Sequence, residues 1–174
     1  LEVEMLIPPA LSFGLALSPV DWLEIGVDFR LWLYTLYSYQ LMRPLYRDDQ
    51  RGIRPMTEES LSREKDYDLS YEIALGLLLR PVPRLRGLEL MVGVAYDQSP
   101  VPDEHFSLDN PALSQAILSA GVRWQITEHW RAMVAYMAIW YLERDITTSL
   151  TSPPTNIRGS GFNHIPSLEV EYLF

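Results

Sequence analysis

The sequence contains no cysteine, which excludes a disulfide framework and any thiolate metal site. It also lacks an apolar run long enough to cross a bilayer as a helix. Such a span takes about 18 or more residues, and the longest run here is Ala132 to Leu142. Positive charge is scarce, with 14 Lys and Arg against 23 Asp and Glu and a net charge of -9. A nucleic-acid partner calls for a basic patch, so none is expected. No signal peptide is visible and the first residue is Leu1 rather than Met, which reads as a mature or truncated chain. The three histidines, His105, His129 and His164, fall in separate connections or at a strand start. No pair has metal-ligand spacing, and no cofactor or metal is expected.

What is present is alternation. At 174 residues the chain is one-domain sized, and its mean hydropathy of -0.03 is ordinary. A strand that is apolar on one face and polar on the other averages to that value. Side chains of an extended chain point to opposite faces with period two. In the last segment, Leu168, Val170, Tyr172 and Phe174 share one face and Glu169 and Glu171 the other. The same pattern predicts a long first strand over 1–18, interrupted at Pro8-Pro9, and a second from Trp22 to Tyr39. Further strands are expected over Asp68 to Arg80, Leu88 to Asp97, about Leu118 to Ile126, and Trp130 to Tyr141. With the terminal strand this makes about seven. The assignment over 130–141 rests on less, because both parities there are largely apolar.

Two regularities frame the fold. In each strand one parity carries no charge, while Glu24, Asp28, Arg30, Glu72, Glu89, Arg123, Arg131, Glu169 and Glu171 fall on the other. Lys or Arg facing lipid near the bilayer midplane costs about 2–4 kcal/mol, which would clear one face in this way. A soluble sandwich or lipocalin-like barrel shows the same parity with the faces inverted. The connections also alternate between tight turns and long loops, the loops lying at about 41–66, 98–112 and 145–161. Short periplasmic turns and long extracellular loops are the outer-membrane habit. The small residues Gly14, Ala16, Gly26, Gly76, Gly93 and Gly121 on the charged parity suit a lumen. The expected fold is therefore all-β, an antiparallel transmembrane β-barrel segment in the bacterial outer membrane. Trp22, Trp124, Trp130 and Tyr172 read as an interfacial girdle at its periplasmic end.

The run Tyr96-Asp97-Gln98-Ser99-Pro100-Val101-Pro102-Asp103 resembles a segment of the FadL family of outer-membrane transporters for long-chain fatty acids and other hydrophobic compounds. Ile7-Pro8, the turn Pro19-Val20-Asp21-Trp22-Leu23, Gly121-Val122-Arg123-Trp124 and the terminal aromatic strand add to the likeness. The resemblance implies that residues 1–174 form the C-terminal half of such a barrel, with a periplasmic C-terminus. Residues Glu104-His105-Phe106-Ser107-Leu108 depart from the family's usual continuation, and its N-terminal plug has no counterpart in these residues. Asn110-Pro111-Ala112 is like a tripeptide near that family's N-terminus, but its place differs and nothing is carried over from it.

Single-chain bacterial barrels normally have an even number of strands, and open strand edges in lipid leave backbone groups unsatisfied. Seven strands are thus expected to need more, from the same chain or from a second polypeptide. The resemblance implies a non-enzymatic channel for uptake of hydrophobic small molecules; the alternative is a structural or docking subunit of an envelope complex. A lipase would need a Ser-His pair in reach, for which His164 with Ser160 or Ser167 is the only candidate. On the lumen parity Met91, Met133, Met137 and Tyr141 are candidate contacts for an apolar ligand, since methionine adapts to varied shapes. Contact with a plug accounts for the same residues. Arg30, Arg123 and Arg131 are candidate anchors for a ligand carboxylate, against a lumen whose charges simply pair with one another.

Overall fold

The computed structural model describes residues 2–5, 7–36, 39–43, 45–48, 52–55, 61–64, 66–82, 87–108, 111–151 and 154–174, and of 2–5, 39–43, 45–48, 52–55 and 61–64 the backbone alone. Seven strands form one antiparallel sheet: β2 (Ala10–Val20), β3 (Leu23–Trp32), β8 (Ser70–Leu79), β9 (Leu88–Asp97), β10 (Gln115–Gln125), β11 (Trp130–Ile146) and β12 (Ile157–Tyr172). They lie in sequence order from β2 to β12, and among the described residues each of these two has a neighbour on one side only. The sheet is an incomplete transmembrane barrel wall.

Local chemistry sets the boundaries. The Pro8-Pro9 pair ends ladder pairing, since proline donates no hydrogen bond, and β2 begins just beyond it. Residues Glu2–Met5 form a separate strand, β1, paired with β4 (Tyr39–Arg43). The single first strand expected over 1–18 is thus two. At the β9 start, Gly87 takes φ +77, and a Cβ there would meet the Gln125 carbonyl oxygen at 2.9 Å. Only glycine fits this approach, in which the Gln125 N–H bonds the Gly87 carbonyl at 2.8 Å. The β10–β11 turn is closed by Thr127, whose Oγ1 accepts from the His129 and Trp130 amides at 3.3 and 3.1 Å. Pro166 lies within β12, an edge strand of this sheet, where proline is tolerated.

Three further expectations need correction. The second strand stops at Trp32, and a 3-10 turn follows at Tyr34–Leu36. The region 41–66, read as one exposed loop, contains β5 (Leu45–Asp48) paired with β6 (Gly52–Pro55), and β7 (Leu61–Glu64) paired with β4; the rest of it lies outside the described residues, Asp66 excepted. The loop read over 145–161 shrinks to 147–156, because β11 runs to Ile146 and β12 starts at Ile157. Both hairpin arms outlast the apolar alternation that marks them in sequence.

The register aligns the two parities across the sheet. One row runs Leu15, Val27, Leu75, Val94, Leu118, Ala138, His164. The adjacent row of opposite parity runs Ala16, Gly26, Gly76, Gly93, Ser119, Met137, Ile165. In β8 the apolar parity is exposed while the charged parity is half-buried, and β9 and β10 follow the same trend. The sheet therefore curls toward its charged side. This apolar-out arrangement suits lipid and inverts that of a soluble barrel.

Aromatic residues band the outer face at two heights. At the turn end Trp130 meets Tyr172 at 5.0 Å and Tyr172 meets Phe174 at 5.2 Å, and Trp22 and Trp124 are exposed at the same end of other strands. At the other end Phe29, Tyr71 and Tyr96 follow one another at 6.4 and 5.9 Å, and Trp140 meets Phe162 at 5.0 Å. From the row of Trp124 to that of Tyr96 is eight residues of β10, Trp124 to Ala116. That is about 27 Å along the strand and about 20 Å along the normal at usual barrel tilt, close to a membrane barrel's apolar band. No described helix is long and apolar enough to cross a membrane, so the crossing element is the strand.

Candidate functional site

The inner face is graded along its height. At the turn end it carries charge: Arg80 pairs with Glu24, Arg123 Nε donates to Glu89 at 2.8 Å, and Arg131 donates to Glu171 and Gln125, each at 3.0 Å. Such partly exposed pairs contribute about 0–1 kcal/mol each, so their effect is to neutralise the wall. Two adjoining cavities of about 80 and 140 Å³ sit among them, sharing Arg123 and Arg131. Drug-sized ligand pockets run to about 300–1,000 Å³. These niches suit water and ions.

Three rows of nearly uncharged residues follow. The first contains Leu78, Met91, Gly121 and Ala135, with Glu24 at its β3 end; the second is the glycine row; the third contains Ala74, Ala95, Ile117 and Ile139, with Asp28 on β3. A Cβ at Gly26 or Gly76 would meet nothing within 4 Å. Packing within the sheet does not force glycine there. The belt is instead a shallow groove, floored by Gly26, Gly76 and Gly93 and walled on the β9–β12 side by Met91, Ile117, Met137 and Ile165. Above it a second polar row runs Ser12, Arg30, Glu72, Asp97, Gln115, Tyr141.

Strand β11 changes parity above this row. Tyr141 faces Gly161 and Arg144 faces Gly159, so three residues on β11 span two on β12. This bulge turns Arg144 and Ile146 inward. There Ile146 joins Tyr67, Val101 and Phe106 in a small core, each no more than 4% exposed, with Tyr34, Ala112 and Leu113 against it. Burial raises the Tyr34 phenol above its usual 10.0, and Asp97 and Tyr67 act the same way.

The segment that resembled a family motif forms the strap of this core. Its Ser99 amide bonds Ser114 Oγ at 3.0 Å, Ser99 Oγ donates to the Ala112 carbonyl at 2.8 Å, and the Asp68 amide donates to the Pro100 carbonyl at 2.8 Å. Arg144 Nε donates to Asp103 Oδ1 at 2.7 Å, and its guanidinium lies 5.7 Å from the Phe106 ring centre. Ile146→Ala should cost this core about 2–5 kcal/mol, read as earlier protease cleavage within 98–112 while the barrel wall stays resistant.

All seven candidates drawn from the sequence share the inner face, but at different heights. Met91 and Met137 lie in the uncharged belt. Met133 lies between Arg123 and Glu169, and Tyr141 lies in the upper polar row with its hydroxyl accepting from Asn163 at 3.1 Å. Arg123 and Arg131 are engaged by carboxylates; Arg30 is held more loosely, 3.9 Å from Glu72. Sequence reasoning missed Leu78, Ile117 and Ile165, whose strands show apolar residues on both parities, and Arg144, which lies beyond the bulge.

The histidines stay apart. His105 lies 3.6 Å from Asp66, His129 Nδ1 is 3.1 Å from the Leu173 carbonyl, and His164 meets Tyr136 and Phe162 on the outer face. Ser167 lies on the opposite parity, and Ser160 is four residues away along the strand, about 13 Å. Neither reaches His164. Among the described residues no group of three His, Asp or Glu is placed to hold a metal ion.

No family model and no curated protein matches the sequence. Among solved structures, the chain is similar to the crystal structure of a Pseudomonas aeruginosa FadL homologue, with a TM-score of 0.69 at 18% identity. The wall has a FadL-like fold. The match covers 95% of this chain and 35% of the FadL homologue, so the likeness is to part of that barrel. At this identity it establishes the fold and leaves the ligand open.

Proposed function

We propose that this chain is part of an outer-membrane channel for uptake of long-chain fatty acids or other hydrophobic small molecules, with its C-terminus periplasmic. What supports the reading is the groove on the inner face, uncharged from β8 to β12, with Glu24 and Asp28 at its β3 side, open above Gly76 and bounded by charged rows above and below. Water-filled lumens are polar throughout; a largely apolar belt at mid-height over β8 to β12 suits an apolar guest. Met91 and Met137 are its adaptable contacts, and Arg30, Arg123 and Arg131 the cations above and below it. Lipid covers the outer face, and further strands, in cis or from a second polypeptide, cover β2 and β12.

In the complete barrel, Met137→Glu is expected to lower long-chain fatty acid binding and uptake by about tenfold, because its carboxylate would lie against an apolar chain. Met133→Glu should have a smaller effect, since Arg123 and Arg131 line the same niche. Native mass spectrometry and uptake in cells measure both. A wild-type barrel that binds no hydrophobe and restores no uptake leaves the structural or docking role. One observation favours that second reading: Arg123 and Arg131 are already bound to carboxylates of the sheet itself.

A further inference from the structure

We propose that Arg144 forms a carboxylate-binding site at the mouth of the inner face, filled in this structure by Asp103, and that an amphipathic monocarboxylate takes Asp103's place there. The proposal rests on the transport reading above and adds a head-group site to it.

The site is made by the β11 bulge. Arg144 faces inward opposite Gly159, where no side chain meets it, so the guanidinium extends across the mouth to the strap. Nε and a terminal nitrogen both contact the same Asp103 oxygen, Oδ1. That edge of a guanidinium matches a carboxylate using both oxygens, and Asp103 fills it with one. The remaining terminal nitrogen lies 3.5 Å from Ser99 Oγ. Phe106 lies over the guanidinium, and the arginine side chain is 22% exposed. The site is therefore sheltered but accessible, and its resident anion sits on a short 3-10 turn, Asp103–His105.

What lies below separates Arg144 from the other inner arginines. Down β11 on the same face come Tyr141, Ile139, Met137 and Ala135, all uncharged. A tail hanging from Arg144 would pass the upper polar row at Tyr141 and Gln115 and then enter the apolar belt. Below Arg30 on β3 lie Asp28, Gly26 and Glu24, so a tail there would run against two carboxylates. Arg123 and Arg131 lie beneath the belt and are bound to Glu89 and Glu171.

The test is equilibrium binding of oleate and of its neutral analogue oleyl alcohol to the complete barrel in detergent. Asp103→Asn is expected to tighten oleate about tenfold by vacating a charge-assisted site, leaving the alcohol within twofold. Arg144→Gln should weaken oleate by a similar factor and spare the alcohol, with Arg144→Lys intermediate. Asp103→Asn should have no effect in the Arg144→Gln background, and Glu104→Gln, a neighbouring charge change off the site, should leave both probes unchanged. Equal shifts in the two probes would make Arg144 a strap contact only and overturn the proposal while the transport reading stood. Binding of neither probe to the wild type would remove both.

Discussion

Arginine in place of Val92 or Val27 is expected to weaken membrane insertion by about 2–4 kcal/mol, whereas arginine at Gly76 or Gly26 should be far better tolerated. Val92 and Val27 are 47% and 40% exposed on the outer face, Val92 in the row midway between the two aromatic bands and Val27 one outer row above it. A guanidinium there would lie in hydrocarbon. Gly76 and Gly26 face the open groove, with room for a side chain. Depth sharpens the comparison. Ile73 shares its row with Phe29 and Tyr96, at the upper band, so Ile73→Arg should cost only about 0–1 kcal/mol, the interfacial value. Urea-titrated folding into vesicles gives all five values. Equal tolerance on both faces, or a monomer that folds in water without detergent, would defeat the membrane reading.

The second large effect concerns the open edges. Residues 1–174 expressed alone should give no heat-modifiable, protease-resistant barrel in detergent, because among the described residues β2 and β12 each lack a partner on one side. Unpaired backbone groups in hydrocarbon cost several kcal/mol each, more than a domain's usual net stability when summed over an edge. Seven antiparallel strands also make β2 and β12 run in the same direction. Two copies set side by side would therefore meet through parallel seams, and an all-antiparallel closure requires an odd number of added strands. Supplying such strands, in cis or as a second chain, should restore the heat-modifiable form; raising the concentration of the isolated chain should not. A stable monomeric barrel from these residues alone would show that the edges find partners within them.

How far the sequence was legible depends on which interaction set each feature. Alternation over Leu88 to Asp97 placed a strand with the observed bounds, because period two is a property of the extended backbone itself. The tight turns at Asp21 and Thr127 were readable for the same local reason; that expected over 81–87 lies partly outside the described residues. The long loop read over 41–66 was not, since its short strands depend on pairing partners rather than on patterning. The same holds for the upper arms of β11 and β12, where Arg144 pairs across from Gly159 and Ile146 from Ile157.

The candidate site divides along the same line. Sequence parity alone put Met91, Met137 and Arg123 on one face, since their strand neighbours of opposite parity carry no charge. It could not order them by height, because height follows from inter-strand register, and so could not set Met91 and Met137 in the apolar belt apart from Met133 among the ions. Arg144 was beyond its reach altogether, as the bulge that turns it inward is a mismatch between two strands. Which parity faces the inside could not be read along one strand, where apolar-in and apolar-out barrels look identical; the alternating connections and the small residues on the charged parity gave the apolar-out expectation. Curvature of the sheet decided it, exposing Leu75, Val92 and Val122 and half-burying Glu72, Glu89 and Arg123. The sequence by itself determined the strands and their two-faced chemistry, which are local; the tertiary structure decided the inside, the register and the strap, which arise only when the strands are paired.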